Sequence, residues 1–217
     1  MVINSIGITD SVNHLPVAIL AGGQSRRMGV DKGLIRFRGR RLIDYAIALA
    51  ASIAPSVGVV LHRDQLSVPG YLELAERSEV RLVPDLYDHA GPLGGLVTAM
   101  RYYDRPPALT ILPCDMPFLS RELISSLITI HLANRSDASI AVDDRGRAQP
   151  LVGVYAGSVL PMAESMIESG DRRISSLLER LRAVSTLSVA SQSVLVNLNR
   201  PSDLEAAGDL RLPGTLG

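Results

Sequence analysis

A chain of 217 residues with 22 Lys and Arg against 22 Asp and Glu carries no net charge, which argues against a general nucleic-acid binder. Hydrophobic residues at 47% and charged residues at 20% describe an ordinary globular protein, and with aromatics at 4% and no Trp its core must be aliphatic. The single Cys114 excludes an intramolecular disulfide and a cysteine-rich zinc site and fits a reducing, cytoplasmic compartment, while no apolar run reaches the roughly 18 residues of a membrane span.

Residues 1–15 lack the basic start and apolar block of a signal peptide and are expected to form a flexible leader. "PVAILAG" is short, β-branched and closed by glycines, which predicts a buried strand. "LIDYAIALAASIA" predicts a helix that stops before Pro55. "SVGVVL" and "VRLVPD" read as strands, and "GPLGGLVTAMRYY" as a helix with Pro92 in its first turn, where the missing N–H costs nothing. "ALTILPCD" reads as a central strand, followed by the helix "SRELISSLITIHLA" with Ser120 as its N-cap. "ASIAV", a turn at "DDRG" and "AQPLVGVY" give two more strands; "PMAESMIES" and "RISSLLERL" give two helices divided by Gly170. "AVSTL" and "SVLVNLN" read as short strands, and "PSDLEAAGDL" as a closing helix with Pro201 near its start.

This alternation predicts an α/β three-layer sandwich with a mostly parallel central sheet and helices on both faces. One domain over residues 16–210 is expected, with a frayed tail at 211–217. Ligands of such sheets bind at the carboxyl ends of strands. Functional motifs should therefore follow strands and share one edge.

"AGGQSRRMGVDKG" follows the first strand. Gly22 and Gly23 let backbone N–H groups approach a ligand, Arg26 and Arg27 add forked donors, and Lys32 adds a mobile charge, a set that suits a triphosphate. An ordinary glycine turn with solvated charges is the competing reading. The loop is neither a Walker A sequence nor a dinucleotide fingerprint. Asp115, directly after an apolar strand and between Pro113 and Pro117, is a natural Mg²⁺ ligand or else the start of a turn. Cys114 alternates to the other side and reads as packing. Asp85 closes a strand, and Gly91–Pro92 opens a helix whose free N–H groups can read a base edge or bind an anion. Asn197 and Asn199 alternate on the last short strand, where they can reach one ligand or cap the final helix. Arg172 and Arg173 precede a helix, solvated or in contact with an anionic acceptor; four scattered histidines show no metal-ligand spacing.

Taken together, "LAGGQSRRMGVDKGLI", "GPLGGL", "PCDMPFL", "QPLVGVY", "GDRRISSLL" and "VNLNRPSDL" resemble, in order and spacing, the blocks of the molybdenum cofactor guanylyltransferases, from about Val17 to about Ala207. The resemblance implies a Rossmann-like nucleotidyltransferase fold, Mg²⁺ as cofactor, and transfer of GMP from GTP to the terminal phosphate of molybdopterin with release of pyrophosphate. It implies a nucleotide site at Leu20, Ala21, Gly22, Gly23, Lys32, Asp85, Gly91 and Asp115, with Asp115 on the metal. Lys32, Asp115 and Arg27 would be catalytic, and Arg27, Asn197, Asn199 and Arg172 would face the acceptor. Other cofactor-biosynthesis proteins and molybdoenzyme chaperones would be partners, with the chain a monomer or weak oligomer. One departure stands out: Leu61 is read where several relatives carry a nucleotide-contacting asparagine.

The chemistry read from the residues agrees. A phosphate acceptor is anionic and needs no general base, so the work is positioning and charge stabilisation. A pterin or polyol-phosphate cytidylyltransferase shares the loop and stays open, as does a nucleotide-binding module without catalysis, which would need neither Asp115 nor the acceptor-side residues.

Overall fold

The computed structural model describes residues 15–22 and 31–213. Most of the expected leader, the last residues of the tail, and Gly23, Arg26 and Arg27 of the glycine-rich loop lie outside them. The strands are β1 (Val17–Leu20), β2 (Arg36–Phe37), β3 (Arg40–Arg41), β4 (Val57–Leu61), β5 (Val80–Pro84), β6 (Ala108–Pro113), β7 (Ala138–Val142), β8 (Ala148–Ala156) and β9 (Val184–Ser188). The helices are α1 (Leu42–Ala51), α2 (Pro69–Ala75), α3 (Gly91–Tyr102), α4 (Arg121–Asn134), α5 (Leu160–Glu168), α6 (Ile174–Arg180) and α7 (Pro201–Ala206).

Seven strands form one sheet in the order β5-β4-β1-β6-β8-β7-β9. β1 is parallel to β4 and β6, β4 to β5, and β7 to β9; β8 alone runs antiparallel to its neighbours β6 and β7. The continuous apolar runs in the sequence follow from burial on both faces. In β1, Val17 and Ile19 enter one core while Ala18 enters the other. The first core is closed by α1 (Ile43, Ile47), α2 (Tyr71, Leu74) and α4 (Leu127, Ile128). The second is closed by α3 (Leu93, Val97), α5 (Leu160, Ala163) and α6 (Ile174, Leu177). The expected three-layer α/β sandwich is the observed one. Ser120 caps α4 by accepting from Leu123 N at 3.2 Å, and Pro92 and Pro201 open α3 and α7.

The structure corrects one strand. "SVLVNLN" forms a 3₁₀ turn at Gln192–Leu195 and then irregular chain. Leu195 enters the first core, whereas Leu198 enters a small third cluster with Phe37, Leu42, Phe118 and Ala207. The Leu198 N–H donates to Asp115 O at 2.9 Å instead of joining a ladder. The β2–β3 hairpin, a 3₁₀ turn at Arg63–Ser67 and α2 are elements that the periodicity does not announce. Among the described residues no helix is long and apolar enough to cross a membrane.

Candidate active site

A cavity of about 360 Å³ opens where four neighbouring strands end, and its lining includes Ala21 and Gly22 after β1, His62 after β4, Asp85 after β5 and Asp115 after β6. Of the residues singled out in the sequence, Leu20, Ala21, Gly22, Lys32, Asp85, Gly91 and Asp115 line this one edge. With strands about 4.8 Å apart, the span from β5 to β6 is about 14 Å. That length separates a β4–β5 end from a β6 end.

At the β4–β5 end, Gly22 is held so close to the next strand that an added Cβ would lie 3.2 Å from His62 N and 3.8 Å from Asp85 Oδ2. A side chain there would fill the gap between two strand ends. Asp85 uses its other oxygen structurally: Oδ1 accepts from Thr98 Oγ1 at 2.7 Å and from Tyr87 N at 3.2 Å. Oδ2 is thereby left facing the gap over Gly22. Gly91 sits at φ +61°, a left-handed conformation suited to glycine, and directs the chain into α3. The first turn of α3 presents N–H groups that have no helical acceptor behind them. Leu61 takes no part in the lining, because it is fully buried in the first core. His62, the next residue, faces the cavity instead and lies 6.0 Å, ring to ring, from His89. Strand parity could have identified His62, since it follows the last buried position of an apolar run. Nothing in "DLYDHAG" marks the lining residues Tyr87 and His89.

At the β6 end, three side chains from distant segments meet. The Lys32 ammonium donates to Asp115 Oδ2 and to Asn199 Oδ1. Lys32 opens a 3₁₀ turn at Lys32–Leu34, Asp115 follows β6, and Asn199 lies on the irregular chain before α7. The Leu198 N–H on Asp115 O fixes that chain beside β6. Asp115 is 6% exposed. Cys114 packs into the first core, and burial pushes its thiol pKa up, so it stays protonated and inert. Asn197 lies on the same segment as Asn199, two residues before it. Arg172 is elsewhere: its Nη1 donates to His89 O at 3.1 Å, beside the β4–β5 end. Among the described residues no cluster of three His, Cys, Asp or Glu could hold a metal without other ligands.

Residues 17–186 match the model of the MobA-like NTP transferase domain. A molybdenum cofactor guanylyltransferase of Pseudomonas putida is 32% identical over 199 residues, covering 90% of this chain and 98% of that protein. The crystal structure of molybdopterin-guanine dinucleotide biosynthesis protein A from Archaeoglobus fulgidus superposes with a TM-score of 0.75 at 27% identity, over 89% of this chain and 97% of that one. A 4-diphosphocytidyl-2C-methyl-D-erythritol synthase from Anaerococcus prevotii shares the fold at 14% identity and a TM-score of 0.66, over 93% and 97%. A strand-end cavity with a lysine and a carboxylate at one end, in a chain matched along most of its length, thus has its place: the chain belongs to the MobA-like NTP transferase domain family.

Proposed function

We propose that this chain is a molybdenum cofactor guanylyltransferase, transferring GMP from GTP to the terminal phosphate of molybdopterin. An acceptor phosphate oxygen attacks the α-phosphorus of GTP, the bond from that phosphorus to the bridging oxygen breaks, and pyrophosphate leaves. The products are molybdopterin guanine dinucleotide and pyrophosphate. The acceptor oxygen is already anionic, so no side chain need take a proton. The observation that carries the reading is the meeting of Lys32, Asp115 and Asn199 at the end of β6, in a chain of this family.

In this reading the base lies at the β4–β5 end, where Asp85 Oδ2 accepts from it and the first turn of α3 offers N–H groups. The phosphates cross Ala21, Gly22 and Gly23. Lys32 turns on its flexible stem between Asp115 and the phosphates and offsets charge on the departing pyrophosphate. Arg27 and Arg172 are assigned to anionic groups of the substrates, and Asn197 to the acceptor. The donor set suits Mg²⁺: a carboxylate and an amide oxygen converge on one cationic group, and Mg²⁺ takes one or two carboxylates together with phosphate and water oxygens. Asp115 and Asn199 would hold it, and it would supply neutralisation of phosphate charge. One compact domain in the cytoplasm, with molybdopterin delivered by other biosynthetic proteins, completes the proposal.

The test is turnover of purified protein with Mg²⁺ and molybdopterin, offered GTP and CTP separately. Guanine dinucleotide and pyrophosphate in equal amounts are expected from GTP. Preference for CTP would favour a cytidylyltransferase, and GTP binding without pyrophosphate release a non-catalytic module.

A further inference from the structure

Lys32 is a long, flexible side chain, yet its use requires the ammonium to be aimed between a carboxylate and a row of phosphates. The chain around its root is held by three residues that the reading above does not use. Asp31 caps the 3₁₀ turn that Lys32 opens, its Oδ1 accepting from Gly33 N at 3.3 Å. The same oxygen accepts from the Tyr71 hydroxyl at 2.5 Å, and Oδ2 accepts from Gln65 Nε2. Gln65 Nε2 also donates to Ala21 O at 3.1 Å, and Gln65 Oε1 accepts from His62 N at 2.7 Å. One buried amide therefore ties the chain before the glycine-rich loop (Ala21) to the chain after it (Asp31), and both to the end of β4.

Packing fixes the other side of the root. Tyr71 is fully buried. Burial and the Asp31 carboxylate push its pKa up, so the hydroxyl remains a donor. A Cβ on Gly33 would lie 2.6 Å from the Tyr71 oxygen, so only glycine lets the turn come this close. The residues on both sides of Lys32 are thus pinned, and freedom is left to its stem alone.

We infer that Asp31, Gln65 and Tyr71 form a positioning network that aims Lys32 at the reacting phosphates, an inference that rests on the role given to Lys32 above. None of the three touches substrate; each acts through Lys32. The network differs from a plain structural cap in one consequence: its loss should cost nothing further once Lys32 is gone.

The experiment is a pair of double-mutant cycles, Tyr71→Phe and Gln65→Leu, each in the wild-type chain and in Lys32→Ala. Displacing a catalytic group by an ångström can cost about 10²-fold, so each single variant should lose about tenfold in kcat. KM for GTP should stay within about threefold, and in the Lys32→Ala background either change should alter kcat by less than about twofold. Equal losses in both backgrounds, a loss confined to KM, or no loss would overturn the network. Amide hydrogen exchange supplies a readout independent of turnover. Faster exchange at residues 31–35 in both variants, with β6 and α4 unchanged, is expected, and unchanged exchange there would overturn it. A wild-type chain that transfers no GMP would overturn the proposed function, and exchange alone would then decide the network.

Discussion

At the β4–β5 end of the cavity, Asp85 is held by Tyr87 and Thr98, two and 13 residues along the chain; at the β6 end Lys32 meets Asp115 and Asn199 across 83 and 167 residues. The first end is set by one strand, its turn and the helix that follows. The second exists only when the 3₁₀ turn at Lys32–Leu34, β6 and the chain before α7 have all docked. Side chains of the first end face a gap lined by backbone and suit binding. Those of the second bring a cation, a carboxylate and an amide to one point and suit stabilising charge that develops during transfer. Substitutions at the first end should therefore move KM for GTP, and substitutions at the second should move kcat.

Four variants would break or sharpen that division. Lys32→Ala should have the largest effect, a loss of about 10²–10³ in kcat, as for removal of one donor to a developing charge. Steady-state kinetics on a variant with wild-type melting temperature would check it, and near-normal turnover would end the role given to Lys32. Asn199→Ala removes a hydrogen bond to a charged group, worth about 1.5–3 kcal/mol, so kcat should fall by about 10- to 100-fold with KM for GTP little changed. Thr98→Val tests the opposite end. It strips a partner from Asp85 Oδ1 and from Leu86 N, which donates to Thr98 Oγ1 at 3.1 Å. KM for GTP should rise about tenfold while kcat stays within about twofold. Arg38→Met should have the smallest effect. Arg38 Nη2 donates to the carbonyls of Gly208 at 2.6 Å and Leu210 at 2.5 Å, tying the chain after α7 to the hairpin. Because these bonds are exposed, the loosened segment should cost only about two- to threefold in kcat, read as a loss without change in KM for GTP.

The same contrast explains what could be read in advance. Three of the strands that the sequence announces, β4, β6 and β7, are buried along their whole length, and a run such as "ALTILP" has no other stable home. Gly22, Asp85 and Asp115 directly follow such runs, so their shared edge was visible. α2 was not, because its seven residues bury only Tyr71 and Leu74, too few for a helical period to show. The hairpin was missed because its strands have two residues each and its turn is Arg38–Gly39, both at positive φ, without the Asn-Gly or Asp-Gly signal. Asn197 and Asn199 look like strand alternation, yet the chain there is irregular. It is fixed by Leu198 in the third cluster and on Asp115 O, contacts that exist only in three dimensions. Leu61 is fully buried, whereas the next residue, His62, lines the cavity, a distinction that depends on where β4 ends.

The division of labour is tested most directly by Asp115→Asn, which keeps the shape of the side chain and removes its charge. Two quantities should be measured on the same preparation: equilibrium affinity for GTP without added metal, and the single-turnover rate of guanine dinucleotide formation with Mg²⁺ and molybdopterin. The account predicts a rate reduced by about 10²–10³ with GTP affinity within about threefold of wild type. A near-normal rate, or a loss of affinity as large as the loss of rate, would contradict it.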